Sequence, residues 1–179
     1  MSIFGMKSLF ARHWTWLAAI LSGILLALCY PPFDSSGLVW IWQAPLLAAL
    51  WFSKVDKPRW RHGLFHGFVC GFVFFLINIS WLTEISRVAG TIFAGLGALV
   101  ALSFYLALYF AIFGAYAATV GRWIIREPDT DKKDLFAQSL DVIRVAFLNG
   151  AAWCGLEWLR GIAFTGFGWN GLGVALKDQ

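Results

Sequence analysis

Glu157 and Arg160 stand three residues apart near the end of a long apolar run, in Leu156-Glu157-Trp158-Leu159-Arg160-Gly161-Ile162-Ala163-Phe164-Thr165-Gly166-Phe167-Gly168-Trp169-Asn170. Nowhere else does the sequence set unlike charges so deep among apolar residues. Residues i and i+3 share a helix face, so the carboxylate and the guanidinium are expected to pair. An ionisable pair within an apolar span is expensive, which makes a binding site the first reading and a packing or headgroup contact the plainer one. Trp81 closes an earlier apolar run and Trp169 follows the charged pair; amphipathic tryptophan rings favour the membrane–water interface. Trp81, Glu157, Arg160 and Trp169 are therefore the candidate substrate-binding residues.

Other chemistry finds little support. Cys29, Cys70 and Cys154 all lie in apolar runs without metal-ligand spacing, so all three are expected to be buried small hydrophobes, with no disulfide framework. A nucleophilic thiolate needs a base and a partly polar setting. Cys154, at i−3 from Glu157, is the nearest approach to such a dyad, and its apolar surroundings speak against it. His13, His62 and His66 lie beside or at the start of apolar runs, none next to a plausible nucleophile. No Gly-x-Ser-x-Gly elbow occurs, and Gly166-Phe167-Gly168 follows a helical run where a phosphate loop would precede one. Asp129, Asp131 and Asp134 make half a calcium loop but lack its glycine turn and closing glutamate. No catalytic residue, metal site or cofactor is assigned.

The elements that carry the candidate residues belong in a membrane. Of the 179 residues 60% are hydrophobic and 13% charged, against about 25% charged in soluble domains. The net charge of +4 reads as topology, because the basic residues cluster between apolar runs and form no exposed basic face for nucleic acid. Apolar runs at about 14–30, 38–53, 64–82, 91–121 and 145–164 predict an all-α polytopic membrane bundle of about five transmembrane helices. Pro45 falls inside the second run, where it is expected to kink a helix. Gly67, Cys70 and Gly71 would let another helix approach the third closely. Val88 to Gly121 carries no charge. One tilted helix there keeps Arg122, Arg126, Lys132 and Lys133 on the side of the basic loop Lys54 to Arg61, whereas two helices would break the positive-inside rule. The N-terminus is thus expected inside the cell, with residues 31–36, 83–90 and 165–179 outside.

The blocks at the span ends resemble a known family. Leu-Glu-Trp-Leu-Arg-Gly (156–161) followed by Phe-Thr-Gly-Phe-Gly-Trp (164–169) is similar to the membrane domain of bacterial apolipoprotein N-acyltransferases. Tyr30-Pro31-Pro32-Phe33-Asp34, Ala44-Pro45-Leu46-Leu47, Gly67-Phe68 and Ser80-Trp81-Leu82 support it in the same order. Gly168 departs from the pattern, where the family often has proline. The resemblance implies transfer of an acyl chain from a phospholipid donor to the amine of a diacylglyceryl-cysteine lipoprotein acceptor, at the outer face of the inner (plasma) membrane. It also implies a cysteine nucleophile, a glutamate and a lysine on a carbon–nitrogen hydrolase-like domain. That domain is not expected within these 179 residues, which would then form an inactive N-terminal transmembrane portion. The alternative is a non-catalytic anchor or lipid-presenting module, like the similar domain of some polyprenol-phosphate mannose synthases.

Overall fold

The computed structural model describes residues 3–53, 58–122 and 133–176, which form helices joined by short 3-10 turns, with no strand among the described residues. Lys54, Asp56 and Lys57, the stretch 123–132 with Asp129 and Asp131, and Lys177 lie outside them. The helices are α1 (Ile3–Ala27), α2 (Gln43–Phe52), α3 (Arg59–Asn78), α4 (Ile85–Ala89), α5 (Ile92–Ala117) and α6 (Lys133–Ile162).

The centre of the bundle is the α3–α5 pair, against which α1 and α6 lean from either side. Glycine makes this crossing close. A Cβ on Gly63 or Gly67 would collide with the carbonyls of Gly114 and Phe110, and one on Gly114 would collide with the carbonyl of Gly63. Gly63, Gly67 and Gly71 recur every four residues and so form one stripe, the small-residue pattern by which helices approach in lipid. Around the stripe the core is aromatic: Trp42, Phe74, Phe75, Phe110 and Phe113 are fully buried. Trp153 of α6 meets Trp42 at 4.9 Å, Phe110 at 5.0 Å and Phe113 at 5.1 Å between ring centroids, all edge-on, the arrangement that aligns ring edge with ring face.

By length and composition, α3 and α5 are apolar and long enough to cross a membrane. Residues 92–117 run as one uninterrupted helix, entered through α4 and the left-handed Gly90. The face of α5 away from the core exposes Phe93, Leu96, Val100, Phe104, Leu108 and Ile112 at helical spacing, an apolar surface far longer than a soluble protein leaves open.

The second expected span, about 38–53, is interrupted. A 3-10 turn (Ser36–Trp40) and a break at Ile41–Trp42 precede α2, whose 10 residues cover about 15 Å, half a hydrocarbon layer. Pro45 sits in its first turn, where its missing N–H costs nothing, and so starts the helix instead of kinking it. The next orphan amide, Leu46 N–H, donates to Ser22 Oγ of α1 at 2.9 Å. Both groups are fully buried, so Ser22→Ala should cost about 1–2 kcal/mol. A matching fall in the thermal midpoint checks this; an unchanged midpoint removes Ser22 as the cap.

The last helix also exceeds its expected start near residue 145, beginning at Lys133. Its described polar residue nearest the middle, Asn149, is buried and donates Nδ2–H to the carbonyls of Gly121 and Val145, both at 2.8 Å, tying α6 to the end of α5.

Candidate functional site

The chain folds back over the end of α6. Phe164 (φ +49°) and Gly166 (φ +79°) take left-handed backbone, the second of which favours glycine, and Phe167 N–H then donates to the Arg160 carbonyl at 2.8 Å. This return lays residues 167–172 across the bundle end. Three helices reach for them there.

Arg160 is 2% exposed and its Nη2 donates to the Asn170 carbonyl at 2.9 Å. Glu157 Oε1 accepts the Leu172 N–H at 2.7 Å. Tyr30, just past α1, aims its hydroxyl between the carbonyls of Asn170 (3.1 Å) and Gly171 (3.0 Å). Asn170 Nδ2 donates to Oδ1 of Asn78, the last residue of α3, at 2.8 Å.

The expected Glu157–Arg160 pair is therefore only partly correct. The two groups stand 3.9 Å apart, attractive but too far for a hydrogen bond, because each is turned toward backbone of the returning segment. The guanidinium also lies 5.6 Å from the Phe75 ring centroid, within cation–π range, and its Nε is buried without an acceptor. Both charges line a small cleft between α5 and α6 with Tyr109, Phe110, Trp153 and Leu156.

Trp81 and Trp169, far apart in sequence, are brought together at the rim. Their ring planes lie within 9° of parallel with centroids 6.5 Å apart, and they are 52% and 70% exposed. Phe167 continues the row at 6.1 Å from Trp169 and packs edge-on against Phe75 at 6.3 Å. All four candidate residues thus belong to one bundle end: two hold the 167–172 segment from below and two form an exposed row of parallel rings at its rim. Tyr30, Asn78 and Asn170 complete the arrangement and were not among the candidates. Their signal was polarity at the end of an apolar run, visible for each but without an indicated partner.

The cysteine expectation needs one correction. Cys29 and Cys70 are buried, Cys29 Sγ donating to the Leu25 carbonyl at 3.3 Å, but Cys154 is exposed because it lies on the outer face of α6. Among the described residues no hydrogen bond joins Cys154 to Glu157, whose Oε1 accepts the Leu172 amide. At the other end of α3, His62 Nε2 does meet a hydroxyl, Ser53 Oγ, at 3.1 Å, and also the Ala49 carbonyl at 3.3 Å. A carbonyl only accepts, so the Ala49 contact favours the tautomer with its proton on Nε2, in which His62 donates and is no base for Ser53.

An all-helical bundle with an apolar outer surface, closed at one end by a buried guanidinium and an aromatic rim, is the class of protein these features define. The family model of the apolipoprotein N-acyltransferase N-terminal domain matches residues 22–179, and the chain belongs to that family. It is 34% identical over 160 residues to an apolipoprotein N-acyltransferase of Geobacter metallireducens, covering 88% of this chain and 26% of that protein. A Ralstonia nicotianae relative of the same name is 32% identical, covering 90% of this chain and 28% of its own length. A Pasteurella multocida relative is 26% identical over 97% of this chain and 29% of its length. The chain thus spans about a quarter of the length of the curated relatives it matches.

Proposed function

We propose that these residues form the membrane-embedded platform of an apolipoprotein N-acyltransferase, the enzyme that moves an acyl chain from a phospholipid to the free amine of a diacylglyceryl-cysteine on a lipoprotein. The family match over residues 22–179 carries the reading, and the site geometry fits it. Exposed parallel rings at a bundle end suit the headgroup level, where tryptophan is favoured. Trp81 and Trp169 contact substrate at the rim in this reading. Glu157 and Arg160 act through the 167–172 segment, holding Trp169 in place. Acyl transfer to an amine needs an activated nucleophile beside a base and a stabilised oxyanion, which no described cysteine here has. The 179 residues therefore bind and orient, and the covalent step belongs to a hydrolase-like domain.

The platform sits in the inner membrane with α1, the 36–52 run (the 3-10 turn together with α2) and α6 also crossing, the N-terminus and residues 54–62 and 122–141 cytoplasmic, and residues 31–36, 83–90 and 165–179 outside. Single cysteines at Ser35, Asp56 and Asp131 in a cysteine-free chain should label from outside only at Ser35. Labelling at Asp131 would reverse the basic-loop assignment.

The function itself is tested by exchange. The matching segment of the Geobacter metallireducens relative is replaced by these 179 residues and expressed in cells depleted of their own N-acyltransferase. Mass analysis of a lipoprotein should show restored N-acylation, and a membrane-inserted chimera that fails to acylate would overturn the reading. The isolated chain with phospholipid should form no acyl-enzyme. A hydroxylamine-labile acyl mass lost in Cys154→Ala would place chemistry within it.

A further inference from the structure

At the opposite end of the bundle from residues 167–172, two arginines from different helices converge on adjacent carbonyls. Arg59, first residue of α3, aims Nη1 at the Leu50 carbonyl, and Arg122, past the end of α5, aims Nη2 at the Trp51 carbonyl, both at 3.4 Å. These are last-turn carbonyls of α2, which a cation ordinarily complements. The α2 end is itself fixed, because Trp51 Nε1 donates to the Ala117 carbonyl at the end of α5 at 3.0 Å.

Three observations exceed what capping requires. First, one cation suffices for a helix end, whereas two guanidiniums on consecutive carbonyls repel each other, and among the described residues no carboxylate lies in ion-pair range of either. Second, each guanidinium has five N–H donors and, among the described residues, spends one on a long bond, while Arg122 Nε is buried without an acceptor. Third, α3 begins at the same place with Pro58 as an N-cap that makes no side-chain bond, so the positive end of a 20-residue helix dipole adds to the charge. The cluster is built for an anion with several acceptor oxygens. Its rim is apolar: Phe52, Trp60 and Val120 are exposed, and the Arg61 guanidinium lies 5.1 Å from the Trp60 ring.

We propose that Arg59 and Arg122 form a headgroup site for an anionic phospholipid in the leaflet facing the basic loops, its phosphate bridging the two guanidiniums and its acyl chains lying along Phe52 and Trp60. Bidentate phosphate recognition by planar guanidinium forks, and anionic headgroups in basic recesses between helices, are the physical basis. The lipid stitches the ends of α2, α3 and α5 together, away from the aromatic rim. The site rests on the membrane reading of the chain and is independent of N-acyl transfer.

The test uses the whole chain in phosphatidylcholine nanodiscs with phosphatidylglycerol titrated in, following thermal unfolding by tryptophan fluorescence. The midpoint should rise and saturate. Arg59→Gln with Arg122→Gln should lose that rise, and Arg87→Gln, an exposed residue paired with Glu84 at 2.9 Å, should keep it. Arg122→Lys, which keeps the charge but not the fork, should need about tenfold more phosphatidylglycerol for the same rise. An equal rise in wild type and the double glutamine variant overturns the proposal. So does a rise with inorganic phosphate matching that with phosphatidylglycerol, which assigns a soluble anion. Should the double variant not fold, an Arg122→Lys response equal to wild type, or native mass spectra of wild type retaining no more phosphatidylglycerol than phosphatidylcholine, overturns it equally.

Discussion

Arg160→Met is expected to destabilise the protein by about 3–5 kcal/mol, the scale for removing one member of a buried charged pair. Arg160 is 2% exposed, so nothing from outside replaces it, and its loss leaves the Asn170 carbonyl only a share of the Tyr30 hydroxyl and takes the cation from beside a half-buried carboxylate. Glu157→Gln should cost about 1–2 kcal/mol, because the amide oxygen still accepts the Leu172 N–H and only the long-range attraction goes. The double change should match Arg160→Met, since both side chains hold the same few residues of backbone. Chemical unfolding in detergent, with proteolysis of the 167–172 segment as a local readout, checks all three. Equal single costs with a milder double would mean that the two side chains pair directly.

Gly67→Leu should cost about 3 kcal/mol or prevent assembly, since the added side chain meets Phe110 backbone where there is no rotamer to escape into. The control is Gly155→Leu, where nothing lies within 4 Å of the new Cβ. That change should be neutral or stabilising by up to about 1 kcal/mol, because leucine is the better helix former. Thermal unfolding distinguishes them, and comparable losses at both positions would remove the α3–α5 crossing as the reason.

Much of this organisation was legible in the residues, for identifiable reasons. Charge in an apolar run is conspicuous because it is expensive, which is how Glu157 and Arg160 stood out, and tryptophan marks a bundle end because one part of its ring is polar. Gly67 and Gly71 announced a close helix crossing by spacing alone, although Gly114 on the other side did not. What the residues did not reveal is who meets whom. Arg160 turns from Glu157 because a backbone carbonyl 10 positions on offers a true hydrogen bond, and helix periodicity says nothing of a chain that doubles back. Cys154 points outward for a similar reason: its run is apolar throughout, so the buried face of α6 is set by which side meets α5 and not by pattern. Pro45 was placed mid-span because hydropathy does not see the break at Ile41–Trp42.

The Tyr30 hydroxyl meets carbonyls 140 and 141 residues further along the chain. At a synthesis rate of about 5–20 residues per second, Tyr30 waits roughly 7–28 s before its partners exist. Until then α1 and α3 can insert and their glycine contacts can form, but the aromatic rim has no floor. Assembly therefore has an order written into it, with the helix bundle first and the aromatic rim last, so the Trp81–Trp169 row gains its support only once residues 167–172 have folded back across the helices that were there before them.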